Sequence, residues 1–125
     1  MSQVVELSIV VEGMAALVQA IAEAGLQSRR EKAFRSEDGE VHAVDLLVSD
    51  EAGTHVGVSV HARTGRATFV TREKDPRRGT ALANRVAQRY AYSRVMEDLK
   101  RKGYQVAREE KQQDGSIKVV AQRWR

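Results

Sequence analysis

Few residues in this chain have the type and spacing to do chemistry. The three histidines, His42, His55 and His61, fall in a Val-rich stretch with Asp45 between them. On a strand, His55 and His61 share a face but lie about 20 Å apart, and Asp45 is diagonal to His61. That makes at most a two-ligand site, short of what zinc needs, so no metal is expected. The chain has no cysteine, hence no thiolate nucleophile, disulfide or Cys-based metal site. Its glycines are single and sit at turn positions, so no phosphate-cradling loop appears and no cofactor is expected. Serine, histidine and aspartate occur without the spacing of a catalytic arrangement. The chain leans away from an enzyme; an unrecognised site would need a deep pocket holding at least two titratable groups.

Arginines and aromatics are more informative. At 100° per residue, Leu82, Val86, Tyr92, Met96 and Leu99 span about 140° of a helix surface, with Arg89 near the centre, Arg85 inside the arc and Tyr90 on its flank. A guanidinium inside an apolar stripe is costly unless paired. Two readings stay open. In one, Arg89 pairs internally with Asp45 or Glu6, or snorkels to the rim of the sheet. In the other, Arg85, Arg89 and Tyr92 line a groove for an anionic or protein ligand. Nucleic-acid binding would draw on Arg77, Arg78, Lys100, Arg101 and Lys102 for phosphates, and on Tyr90, Tyr104 or Trp124 for stacking. No known nucleic-acid motif accompanies them, and a strand-end Trp124 also suits a core cap or an interface.

The elements that must position these residues can be read in order. Gln3 to Val11 has apolar residues on both faces, which suggests a strand inside a sheet. Gly13 breaks it. Met14, Leu17, Val18 and Ile21 have helical spacing, and Gly25 suits the left-handed position after the helix. Residues 27–34 are polar and read as an edge strand. Turns at Asp38-Gly39, Glu51-Ala52-Gly53 and Thr64-Gly65 separate strand-like runs, an antiparallel meander. Val44, Leu46 and Val48 have the same parity as Val56, Val58 and Val60, so the loop between the two runs has an odd number of residues, with Gly53 left-handed. A two-residue Thr64-Gly65 loop sets Phe69 beside Val60; an odd loop would choose Val70. Residues 72–79 form a charged connection with the only proline, Pro76. Thr80 is the expected N-cap of the second helix, Gly103 ends it, and two strands around Asp114-Gly115 finish the chain.

The expected fold is therefore a single α+β domain over residues 1–125: a mostly antiparallel sheet with two helices packed on one face, in the order β-α-β-β-β-β-α-β-β. No run of about 18 apolar residues exists, so no membrane span is expected. The N-terminus lacks the basic start of a secretion signal, which suits a cytoplasmic compartment. Charge divides unevenly. Residues 1–71 hold 6 Lys/Arg and 10 Asp/Glu, a net of −4; residues 72–125 hold 15 and 7, a net of +8. The basic half could attract a polyanion, or dock on the acidic half of its own fold or of a second copy.

Three strings complete the reading: NRVAQRYAY at 84–92, GYQV at 103–106 and EKQQDGSIKVVAQRWR at 110–125. Together they resemble the end of a small family of hypothetical proteins from cyanobacteria and red-algal plastid genomes, a domain of unknown function (number twelve fifty-seven). The resemblance is strongest over residues 84–125; the Val-rich middle departs from the family pattern. It implies a shared small α+β fold and brings no reaction with it. Some bacterial relatives lie near AAA-type ATPases, which implies a component of a larger assembly. The expected function is a non-catalytic interaction or adaptor subunit that binds a protein partner or self-associates, with sequence-nonspecific nucleic-acid binding as the alternative.

Overall fold

β-Branched side chains crowd a helix but fit a pleated surface, and valines at alternate positions build the centre of this chain. The computed structural model describes residues 3–35, 39–71, 76–113 and 117–123, the side chains of residues 3–8 and of Pro76 excepted. Its elements are β1 (Gln3–Val10), α1 (Met14–Glu23), β2 (Gln27–Arg30), β3 (Ala33–Arg35), β4 (Val41–Ala43), β5 (Leu46–Ser49), β6 (His55–Val60), β7 (Arg66–Thr71), α2 (Pro76–Arg101), β8 (Tyr104–Lys111) and β9 (Ile117–Arg123). The order is the expected one, with the strand-like runs 27–34 and 41–49 each divided into two short strands.

Five strands form the main sheet in the order β1-β7-β6-β5-β2, every pair antiparallel; β3-β4 and β8-β9 are separate two-stranded ladders. β2 is an end strand, as its charge implies. β1 is the other end strand rather than an interior one. Its apolar character goes with α2, which runs against it as well as against β6 and β7.

Both helices pack on one face. Leu17, Ala20 and Ile21 of α1 meet Leu46, Val48, Val56, Val58, Ala67 and Phe69 of the sheet, and Leu82, Ala83, Val86 and Tyr90 of α2. α1 ends as its glycine dictates. Gly25 has φ 78°, its N–H donates to Ala22 O, and Leu26 N–H donates to Ile21 O, the paired bonds of a Schellman motif.

The turns decide the register. Asp50 N–H donates to Thr54 O around the Glu51-Ala52-Gly53 loop, and Gly53 has φ 83°. The Asp50 carboxylate accepts from Ala52 and Thr54 N–H at 2.9 and 2.8 Å. Leu46 then pairs with Val58 and Val48 with Val56, as parity requires. The next loop is wider than two residues. His61 N–H donates to Arg66 O and Gly65 N–H to His61 O. Phe69 stays on the helix-facing side but pairs with Val58, not Val60.

Val44 corrects the parity argument in another way. It lies on the far face of the sheet, in a small cluster with Phe34 and Val70. The alternation breaks at Asp45: Val44 N–H goes to Lys32 O, Asp45 N–H goes to Val58 O, and the Asp45 carboxylate accepts Val60 N–H at 2.8 Å. A side chain that bonds the neighbouring backbone offers the chain an alternative to the regular ladder.

α2 starts at Pro76, so Thr80 lies inside it and is not its cap. Proline suits the first helical turn, where its missing N–H costs nothing. The helix also contains Gly79, where an added Cβ would lie 2.3 Å from Thr71 Cγ2 and 2.5 Å from Thr71 Cβ. Thr71 is fully buried. Gly→Ala in a helix normally stabilises by about 0.5–1 kcal/mol. Here the sign reverses: Gly79→Ala is expected to lower unfolding free energy by about 1–2 kcal/mol in a urea titration, because β7 blocks the methyl group.

Candidate interaction surface

The buried stripe of α2 is Gly79, Leu82, Ala83, Val86, Ala87 and Tyr90. Tyr92, Met96 and Leu99 lie on a second stripe, rotated from the first by about 140° at 100° per residue. Averaging the two made Arg89 seem central. Arg89 stands at the seam between them, Arg85 falls within the second, and Tyr90, read from sequence as a flank, belongs to the core. Its hydroxyl accepts Glu12 N–H at 3.0 Å.

Beyond Tyr90 no described residue is fully buried. The second stripe serves the β8–β9 ladder, which packs on α2 and stays apart from the main sheet. A two-stranded ladder alone is marginal in water, so its order depends on the helix. Tyr92 provides one tie, its hydroxyl donating to the Glu109 carboxylate.

The Glu109 carboxylate, with partial burial second, raises the Tyr92 phenol above its ordinary value. A raised value means that the bond contributes stability fully below pH of about 10, the ordinary value, and loses it as pH climbs through the shifted one. The amide signals of residues 104–123 are therefore expected to move at alkaline pH ahead of the main sheet. In Tyr92→Phe that titration should be absent.

Two clefts flank the docked ladder. The first, of about 700 Å³, lies between α1, α2 and β8, with Glu23, Arg89, Tyr92, Arg94, Glu97 and Lys100 in its walls. The second, of about 570 Å³, lies between the outer side of α2 and β9. Arg89 borders both. Its Nη2 is 3.7 Å from Glu23 Oε2, its guanidinium carbon is 4.9 Å from the centre of the Tyr92 ring, and its buried Nε has no hydrogen-bond partner among the described residues. The pairing carboxylate is thus Glu23 of α1. Asp45 is occupied by Val60, and the Glu6 side chain is outside the described set.

Arg85 Nη2 donates to Ala24 O at 2.8 Å, capping the C-terminus of α1, where positive charge is favoured. Its Nη1 binds Glu51 at 3.1 Å. Arg77 and Arg78 stand at the start of α2. Lys100 and Arg101 stand at its end, about 34 Å away at 1.5 Å per residue. Arg101 and Lys102 both bind Asp98. The basic residues singled out from sequence therefore fall into three groups along the helix. Trp124 and the Asp114-Gly115 turn lie outside the described residues.

Several residues of this surface escape sequence reasoning. Arg94, which bonds Glu12 and Glu97, looks like any exposed helix arginine. Glu23, Glu109 and Lys111 become visible only when distant elements meet. Val95 did leave a signal: a valine about 150° from the centre of the core stripe. The histidines do other work. His61 Nδ1 accepts from Arg63 and Thr64 N–H at 3.2 Å, closing its own turn, and His42 is 3.5 Å from Glu40. Among the described residues no three His, Asp or Glu side chains converge.

An α+β sheet with a separately docked C-terminal ladder is the class of protein that these elements define. The chain belongs to the family described as Protein of unknown function (DUF1257), whose model matches residues 20–120 and so extends well beyond the C-terminal strings. It is similar to the uncharacterized protein ycf35 of Pyropia yezoensis, 29% identical over 84 residues that cover 66% of each chain. A second relative, the uncharacterized protein ycf35 of Cyanophora paradoxa, is 27% identical over 70% of this chain and 69% of its own. No solved structure matches. No helix among the described residues is long and apolar enough to cross a membrane.

Proposed function

We propose that this protein is a non-catalytic interaction subunit of a larger assembly, and that the second half of α2 with the β8–β9 ladder carries the contact. The observation behind this reading is the division of burial. Among the described residues all fully buried ones precede Ala91, yet the chain goes on through a helix end and a two-stranded ladder that together display Val95 and Ile117. Apolar side chains on an element without a closed core of its own mark an interaction surface more often than isolated ones elsewhere. Both long edges of the ladder are unpaired among the described residues; they carry Arg108, Glu110 and Lys118, the kind of charge that discourages indiscriminate strand pairing.

Nucleic-acid binding has weaker support. The cations suggested for phosphate contact are spread along α2, and Arg85, Arg89, Arg94 and Arg101 are each paired with a carboxylate. The two readings separate in a pull-down of the tagged protein from the lysate of its own host, with and without nuclease. The interaction reading expects a protein partner that survives nuclease. A yield of nucleic acid and its usual binders, lost on nuclease treatment, would replace it with the alternative.

A further inference from the structure

We propose that the cleft between the outer side of α2 and β9 is a docking groove for an acidic amphipathic segment of a protein partner, which would seat an apolar side chain among Val95, Ile117 and Val119 and a carboxylate at Lys111 and Arg85. This inference deepens the reading above and rests on it.

Shape and exposure supply the first argument. The cleft holds about 570 Å³ between Ala91, Tyr92 and Val95 on the helix and Ile117 and Val119 on β9. That is room for a few side chains of an extended or helical segment, not for a folded domain. Val95 is 49% and Ile117 38% exposed, two of four large apolar residues so exposed among the described ones, and both open into this one cleft. Tyr92 forms part of the floor and is held by its bond to Glu109, so that wall is fixed before anything binds.

Charge supplies the second argument and selects the occupant. Among the described residues every titratable side chain in the lining, apart from the Tyr92 phenol, is cationic: Arg85, Arg89 and Lys111. The nearby carboxylates lie outside the lining and are engaged, Glu51 by Arg85, Glu23 by Arg89 and Glu109 by Tyr92. Lys111 pairs with Ile117 in the ladder, while its side chain has no ion-pair or hydrogen-bond partner among the described residues. The Arg85–Glu51 pair is exposed at both ends, and such pairs are weak enough for an incoming carboxylate to replace one member. An apolar floor with a cationic rim and no lining carboxylate among the described residues repels basic segments and accepts apolar residues flanked by Asp or Glu. A phosphodiester backbone is a poor match, because the centre of the cleft offers it aliphatic groups and the other basic groups of α2 lie elsewhere along the helix.

The test uses the full chain and a defined probe, a phage-displayed library of random dodecapeptides. Selection on the wild-type protein, with counter-selection on Val95→Glu, is expected to enrich peptides that combine Leu, Ile, Phe or Trp with Asp or Glu. Their affinity, read by fluorescence anisotropy, should fall about tenfold or more in Val95→Glu and in Lys111→Glu, and should weaken as salt rises. The two substitutions sit on different elements at exposed positions, and unchanged thermal melts confirm that each variant folds. A basic or uncharged consensus, equal binding by wild type and both variants, or no groove-dependent enrichment overturns the proposal. So does a wild-type dimer in sedimentation that Val95→Glu dissociates, since the occupant is then a second copy. If the peptide selection fails while the lysate pull-down retains a nuclease-resistant protein, this inference falls and the interaction reading stands.

Discussion

Phe69→Ala is expected to cost about 3–5 kcal/mol of folding stability. Phe69 is fully buried, the largest side chain among the described residues with no exposed surface. It sits on β7, flanked in register by Val58 of β6 and Val5 of β1, and looks toward both helices. Aromatics make up only 5% of the sequence, and the other ring in this described cluster, Tyr90, is anchored by its bond to Glu12 N–H and is not free to fill the void. The surrounding valines are stiff at χ1 and relax poorly into a cavity. Against a total stability of about 5–15 kcal/mol for an ordinary domain, the loss should lower the melting temperature by on the order of 10–20 °C. Val70→Ala is the matched control. Val70 is buried in the smaller cluster on the opposite face, and its truncation should cost distinctly less. Equal losses at the two positions would contradict the register of β7.

Gly57→Val should destabilise by about 2–3 kcal/mol, although strand preference alone favours valine over glycine. Gly57 lies in the middle of β6, paired with Leu47 and Val70. A Cβ there would come within 2.7 Å of Val44 Cγ1 and 3.3 Å of Phe34 Cγ. The bare glycine therefore lets the β3–β4 ladder lie close against the far face of the sheet, and a larger side chain overpacks it. Chemical denaturation gives the sign directly. In a Phe34→Ala background the valine has room, so the double variant should lose less than the sum of the single changes. A stabilising Gly57→Val would show that β3–β4 is not seated on Gly57.

The sequence revealed what depends on local chemistry and missed what depends on distant contacts. Gly25, Gly53 and Gly103 all take the left-handed conformation at the chain reversals where they were read. The odd loop before β6 placed Leu46 opposite Val58 correctly. The failures share a cause. Val44 changes face because the Asp45 carboxylate reaches Val60 N–H, fifteen residues away, and no periodicity encodes that bond. α2 seemed to have one apolar arc because two stripes with different partners were averaged, and Tyr90 was misplaced with them. β1 looked interior because a strand covered by a helix and one flanked by strands carry the same apolar letters. At the candidate surface, the basic and aromatic residues of α2 were visible as types, but their grouping was not. Arg85 became a cap for α1, Arg89 a neighbour of Glu23 and Tyr92, and the cleft acquired Lys111 and Ile117 from a strand that sequence alone could not dock.

The partner contact is proposed to lie on the helix end and the β8–β9 ladder. The most direct test is a nuclease-treated pull-down from host lysate with three tagged baits: wild type, the double variant Val95→Glu/Ile117→Glu, and Val41→Glu as an exposed control elsewhere. Val41 is 58% exposed, on β4. One protein partner is expected to be retained by wild type and by Val41→Glu and lost from the double variant, with all three baits melting alike. A partner held equally by all three, or lost only from Val41→Glu, would place the contact away from the C-terminal unit and contradict the account.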